Sequence, residues 1–255
     1  MKNKNRHDRQ KRGNLFFNRI FKELFPENHT CDICGAETFG CNLCEDCLKK
    51  VTPNDKHVCP VCGRKTFRPE ICMECKSKPP FFRKAVSAFL YEDGTTVLIS
   101  KFKNGRAYLK KFFADKIAER LVGFPEIDCI VYVPLTRLSA LKRGYNQSRL
   151  LAAELSKRVH THVVYGAIKR VKRGKMQKGL TRQERTENVK GAFKIKKRRE
   201  IKGKSVLLVD DVMTTGSTAN EISRRLLLAG AANVYVATVA SVEYKTPEKR
   251  QENGY

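Results

Sequence analysis

The sequence predicts an α/β protein built on a doubly wound, mainly parallel sheet and preceded by a small cysteine-rich module. Three observations carry this expectation. Beyond Pro79-Pro80, short β-rich runs alternate with helical patterns. Between Cys31 and Cys75, eight cysteines fall into two copies of one spacing. The apolar run Val206 to Val209 ends in two acids followed by a Thr/Gly/Ser loop. The 255 residues suit one compact domain plus a smaller module. A composition 41% hydrophobic and 31% charged allows a core beneath an ionic surface and excludes pure disorder. The 52 Lys and Arg against 26 Asp and Glu leave a net charge of +26, far beyond what solubility needs. Such an excess favours a polyanionic partner: nucleic acid, phosphates or an anionic membrane.

From the N-terminus, residues 1-13 are basic and lack apolar periodicity, as expected of a disordered arm. Residues 14-26 carry Leu15, Phe16, Ile20, Phe21, Leu24 and Phe25 at helical spacing, an amphipathic helix suited to packing on its neighbour or to peripheral membrane contact. Asn18, Arg19, Lys22 and Glu23 interrupt its apolar run, so a secretory leader is not expected, and no stretch is long enough to span a bilayer. The expected compartment is the cytoplasm, with its inner membrane face as a further placement. In reducing cytosol, paired cysteines read as metal ligands before disulfides.

Residues 28-78 form the cysteine module. Cys31, Cys34, Cys44 and Cys47 spell C-x2-C-x9-C-x2-C, and Cys59, Cys62, Cys72 and Cys75 repeat it 28 residues later. Gly35/Gly63, Thr38/Thr66 and Phe39/Phe67 repeat with them. A unit this small cannot bury a stable core, so metal must supply the missing stability. Each C-x2-C turn presents two thiolates, and two turns complete a closed tetrahedron, the donor set of structural Zn²⁺. Two zinc ions are expected; redox dithiols or an iron-sulfur cluster are the alternatives. Pairing within each repeat is favoured, and an interleaved cross-brace stays open. Cys41 and Cys129 are read as a spare thiol and a buried strand residue.

Residues 79-243 are the α/β domain, followed by a polar tail, 244-255. Strands are expected near 85-91, 129-133, 162-165, 205-210 and 233-240, and helices near 95-103, 107-122, 147-159 and 217-228. Ligands of such sheets bind beyond the carboxyl ends of the strands. There stand Asp210 and Asp211, then Thr214, Thr215, Gly216, Ser217 and Thr218 opening a helix. Small residues expose backbone amides and hydroxyls add donors, so this loop suits a phosphate. The acids suit sugar hydroxyls or a bridging Mg²⁺.

The segment Val206-Leu-Leu-Val-Asp-Asp-Val-Met-Thr-Thr-Gly-Ser-Thr218 resembles the signature of type I phosphoribosyltransferases, which bind phosphoribosyl pyrophosphate (PRPP). The resemblance implies that fold, with its mobile hood. It places Asp210 and Asp211 on the ribose hydroxyls, the five loop residues on the 5′-phosphate, and Mg²⁺ with PRPP. A second block, Val131 to Arg137 followed by Arg143-Gly-Tyr-Asn-Gln147, and a third, Gln177-x2-Leu180-x4-Arg185-x2-Asn188-x2-Gly191-x-Phe193, complete a resemblance to the ComF family of competence-associated proteins over roughly residues 15-243. By that likeness Leu135, Thr136 and Arg137 would hold pyrophosphate, with help from Arg143. Arg185 joins the two acids as a candidate for the chemistry.

Residues 169-204 hold sixteen Lys and Arg against three acids, +13 in 36 residues. The segment looks like the hood, and its charge exceeds what one pyrophosphate requires. Lys172, Arg173, Lys175, Lys178, Lys196, Lys197, Arg198 and Arg199 are therefore candidate contacts to single-stranded DNA. Tyr145, Tyr165 and Phe193 are aromatic residues in or beside the region that could stack bases, or lie in the core. The family likeness implies handling of incoming single strands during natural transformation, with other DNA-uptake proteins such as a competence helicase as partners. The rival expectation is an active transferase moving ribose 5-phosphate to a small nucleobase-like acceptor. Thr214 stands where purine transferases of the hypoxanthine-guanine type carry an acid, which argues against that acceptor.

Overall fold

The computed structural model describes residues 28-39, 42-171, 187 and 189-244. The expected arm 1-13, the helix 14-26, Cys41 and the tail beyond Tyr244 lie outside the described residues. The chain divides into two compact units, Met1–Lys50 and Val51–Tyr255.

In the first unit, β1 (Asn28–Thr30) pairs antiparallel with β2 (Glu37–Phe39). The turn between them is the first knuckle: Gly35 N donates to Cys31 O at 2.9 Å, and Gly35 adopts φ +79. Glycine enters this left-handed region without a Cβ clash. Helix α1 (Glu45–Leu48) brings Cys47 back toward Cys44.

The second unit opens with another knuckle, residues 59-64, and with α2 (Met73–Ser77). Four parallel strands follow in the order β3-β8-β7-β4: β3 (Lys84–Leu90), β4 (Cys129–Tyr132), β7 (Ser205–Met213) and β8 (Asn233–Ser241). Leu207 and Leu208 of β7 are 0% exposed, as are Val234 and Val236 of β8. Burial on both faces is why these runs read as continuous apolar stretches instead of alternating ones. Helices α3 (Asp93–Lys103), α4 (Lys110–Arg120), α5 (Arg137–Arg143) and α6 (Gln147–Arg158) lie between β3 and β7 in sequence. The 3₁₀ turn Ala107–Leu109 precedes α4, so the helix expected over 107-122 is a turn plus a shorter α-helix.

Val206 and Leu208, with Cys129 and Val131, share one buried cluster with Ile222 and Leu226 of α8 (Ser217–Leu228). Phe193 and Ile195 of β6 (Phe193–Ile195) and the second cysteine quartet belong to the same cluster. β6 pairs antiparallel with β5 (Ile168–Arg170) in a two-stranded ribbon, and α7 (Arg198–Ile201) follows. The strand expected at 162-165 is not formed. Only Val163 makes an isolated parallel bridge, to Ile130, and the chain turns away at Tyr165-Gly166, where Gly166 has φ +69. β4 spans four residues, which leaves little edge to extend such pairing.

Candidate functional site

Parallel pairing with β8 and β4 carries β7 past the apolar run, so Asp210 and Asp211 emerge at the carboxyl end of a central strand. Ser148 Oγ donates to Asp210 Oδ1 at 2.9 Å, and the Asp211 amide donates to the same oxygen at 2.9 Å. Part of Asp210 touches solvent, yet burial of its carboxyl and then the charge of Asp211 push it up to about 7. Asp211 instead meets Lys103, whose Nζ lies 2.6 Å from Oδ2.

Lys103 and Ser148 escaped the sequence reading. A lysine in the last turn of a helix is ordinarily read as complementing the helix dipole, and neither residue belongs to a recognisable motif. The Arg143 to Gln147 block explains their placement. Tyr145 Oη donates to Phe102 O and accepts from the Gly105 amide at 3.2 Å, while Gln147 Nε2 donates to Lys103 O at 3.4 Å. These bonds tie the end of α3 to the start of α6. Arg143 donates to Gln147 Oε1 at 3.1 Å and so braces the block from within. Asn146 caps α6 by accepting from the Arg149 amide at 3.1 Å.

Thr214 to Gly216 join β7 to α8, which Ser217 and Thr218 open. Gly216 has φ 73 at the helix N-cap, and the Thr215 and Ser217 hydroxyls lie 2.8 Å apart. The turn leaves the first amides of a twelve-residue helix at the sheet's carboxyl edge, a geometry suited to an anion. A cleft of about 510 Å³ runs from Thr215, Gly216 and Ser217 to Lys78, Phe82 and Lys190. Thr136 caps α5 by accepting from the Ser139 amide at 3.1 Å; Leu135 is half-buried beside it, and Arg137 begins the helix.

The two quartets close within each repeat, which settles the pairing left open by spacing: the sulfurs of Cys31, Cys34, Cys44 and Cys47 lie within 4.8 Å of one another, and so do those of Cys59, Cys62, Cys72 and Cys75. Four thiol donors converging on one point, without disulfides, fit a tetrahedral Zn²⁺ in each. The surroundings differ. Cys34 is exposed, whereas all four sulfurs of the second set are buried. In that set Arg64 Nε donates to Cys62 Sγ at 3.4 Å, and Arg64 also pairs with Glu74 at 2.6 Å. Against the raising effect of Cys59, contacts from Cys72 and Cys75 and the Arg64 charge hold Cys62 down to about 6. Cys129, by contrast, is fully buried in β4 and pushed up to about 11 by that burial, an inert core thiol.

Of the candidate DNA contacts, Lys196, Lys197, Arg198 and Arg199 are exposed; Lys172, Arg173, Lys175 and Lys178 lie outside the described residues, as does Arg185, the candidate for the chemistry. Among the three aromatic candidates, Tyr145 is engaged in the α3–α6 brace and Phe193 is 2% exposed, so both are structural. Tyr165 alone is exposed, at 46%.

The parallel sheet, terminal diacid and hydroxyl-rich loop define a transferase-type domain, and residues 141-253 match the family model described as phosphoribosyl transferase domain. Competence protein F of Haemophilus influenzae is 34% identical over 169 residues, covering 62% of this chain and 72% of that protein. DNA utilization protein YhgH of Escherichia coli K12 is 34% identical over 166 residues, with the same 62% and 72% coverage. The chain belongs to the ComF family. Among solved structures, adenine phosphoribosyltransferase from Thermoanaerobacter pseudethanolicus is 17% identical, covering 69% of this chain and 88% of that one, at a TM-score of 0.37. That likeness adds nothing to the fold assignment.

Proposed function

We propose that this protein binds PRPP with Mg²⁺ at the carboxyl edge of the sheet and handles single-stranded DNA during uptake, with two zinc ions holding its cysteine quartets. The observation that carries the reading is the Asp210-Asp211 pair, braced by Ser148 and Lys103 and followed directly by the Thr214 to Thr218 loop. Asp210 and Asp211 would accept from the ribose hydroxyls. Loop amides and the Thr215 and Ser217 hydroxyls would donate to the 5′-phosphate, and Leu135, Thr136 and Arg137, with Arg143, would face the pyrophosphate. When bound, Mg²⁺ neutralises charge on the pyrophosphate leaving group. Arg185 would act with the two acids if transfer occurs.

The relatives named for competence and DNA utilization support the DNA role, as does the charge of residues 169-204. Lys172, Arg173, Lys175 and Lys178, together with Lys196, Lys197, Arg198 and Arg199, would form the phosphate track. Among the described residues no helix is long and apolar enough to cross a membrane. The placement proposed with this role is cytoplasmic, at or near the inner membrane face, beside partners such as a competence helicase. The cleft beside the phosphate loop favours a second reading, a transferase with a small nucleobase-like acceptor.

PRPP with Mg²⁺ should raise the melting temperature by mass action, and Asp210→Asn with Asp211→Asn should abolish the rise while leaving metal content intact. An unchanged rise in the double variant would place the ligand elsewhere. Repeating the titration with single-stranded DNA measures coupling between the two ligands, which must be reciprocal. Pyrophosphate release from PRPP and a nucleobase panel, slowed by Arg185→Ala and indifferent to DNA, would promote the transferase reading.

A further inference from the structure

One rim of the same sheet edge carries a group of residues to which the site above gives no role. Tyr132 ends β4, beside Val209 of β7. Its ring lies 6.3 Å from that of Tyr165 at 59°, and its hydroxyl accepts from the Gly166 amide at 3.2 Å, fixing the turn that presents Tyr165. Arg149, next to Ser148 in the first turn of α6, places its guanidinium 5.5 Å from the Tyr165 ring centroid. Arg149 is exposed, and no carboxylate among the described residues pairs with it. An exposed tyrosine held in place by a second ring and a cation is a flat, rigid π-surface facing solvent.

Cations continue from that surface along the ribbon. Ala167, two residues past Tyr165, accepts from the Lys196 amide at 2.8 Å. Lys169 of β5 stands directly opposite Lys194 of β6, and both side chains are exposed. Like charges directly across an antiparallel pair destabilise it unless an anion lies over them. Lys169, Lys194 and Lys196 thus make a row suited to successive phosphates, with the stacking surface at one end.

We propose that Tyr165, supported by Arg149 and Tyr132, stacks on an unpaired base of single-stranded nucleic acid whose phosphates follow Lys169, Lys194 and Lys196. The assignment rests on the DNA-binding reading above and deepens it. A duplex keeps its bases stacked on one another, so its ends alone could offer a face to this surface.

The test is fluorescence anisotropy with a short labelled oligothymidine and with an abasic oligomer of the same length and charge. Tyr165→Ala should weaken oligothymidine binding about tenfold, the range of one base-aromatic stack, and leave the salt slope unchanged. Tyr165→Phe should restore affinity, which excludes misfolding as the cause. The triple change Lys169→Gln, Lys194→Gln, Lys196→Gln should instead reduce the slope of log K against log salt by about 2, at roughly 0.7 per single-strand phosphate contact. The abasic oligomer should bind wild type and Tyr165→Ala alike. If wild type binds oligothymidine and Tyr165→Ala matches it, the stacking surface is refuted while DNA binding stands. If wild type binds neither oligomer, the DNA reading itself fails and the assignment with it. If a free mononucleotide binds in a Tyr165-dependent way while strand affinity does not depend on Tyr165, the surface serves a small ligand and the strand assignment is overturned.

Discussion

Gly35 and Gly63 follow the second cysteine of their repeats and have almost the same backbone, φ +79 and φ +65, yet replacing each by alanine should give very different results. A Cβ at Gly35 would meet nothing within 4 Å, so Gly35→Ala incurs only the left-handed backbone penalty, about 1-2 kcal/mol. A Cβ at Gly63 would lie 2.4 Å from Ala85 O and 3.2 Å from Val86 Cα, both backbone atoms of β3. Backbone cannot rotate aside as a side chain does. The knuckle is also pinned there, since the Ala85 amide donates to Val61 O at 2.8 Å and Asn54 Nδ2 donates to Gly63 O at 2.7 Å. Relieving the overlap adds about 1-3 kcal/mol, the usual range for overpacking, so Gly63→Ala should lose about 2-5 kcal/mol in all. At about 2-4 °C per kcal/mol for a unit of this size, its melting temperature should fall by roughly 4-20 °C. The assay is thermal unfolding of both variants, with zinc release to a chromophoric chelator as a second readout. Gly63→Ala should unfold early and lose metal from the second quartet faster; Gly35→Ala should leave unfolding of the transferase unit unchanged. Equal effects of the two substitutions would refute the claim that the second knuckle is seated on β3.

Metal analysis of purified protein should find two zinc ions, and Cys62→Ser should lower the melting temperature of the transferase unit while Cys34→Ser should not. The Asp210 carboxyl, pushed up to about 7 in the fold from an ordinary 3.8, keeps a proton that the unfolded chain releases. As far as this group is concerned, stability of the ligand-free protein should therefore be greatest below the ordinary 3.8 and fall as pH rises from there through about 7; Asp210→Asn should flatten that part of the pH profile. Lys103→Met leaves Asp211 without its partner at 2.6 Å and should cost about 1-3 kcal/mol in thermal unfolding while weakening stabilisation by PRPP. Full retention of that stabilisation would remove Lys103 from the site.

Much of the molecule was legible in the chain because local patterns carried it. Val206 to Val209 and Val234 to Ala237 are apolar throughout, which is what a strand covered on both faces requires, and the acids and small residues after Val209 fall where a parallel strand delivers them. The strand expected at 162-165 failed for the opposite reason: its residues suit extension, but Gly166 turns the chain before an edge can form. Lys103 and Ser148 were hidden because their meaning depends on where α3 ends and α6 begins relative to β7, a relation of long sequence separation.

The repeat shows where the boundary lies. Spacing alone pointed to two four-thiol sites for the eight cysteines, since each C-x2-C turn is local and its donor chemistry belongs to the residue type, while the pairing waited for the fold. Sequence therefore presented the two copies as equivalents. Tertiary structure made them different, burying the second quartet against β3 and in the cluster with α8 while Cys34 of the first stays exposed. It likewise separated Tyr165 from Tyr145 and Phe193, three aromatic residues equal in sequence, by burying one, bonding another and leaving the third on a rim with Arg149. Burial and partnership are set by contacts between distant segments, and no periodicity within a segment encodes which distant surface will cover it.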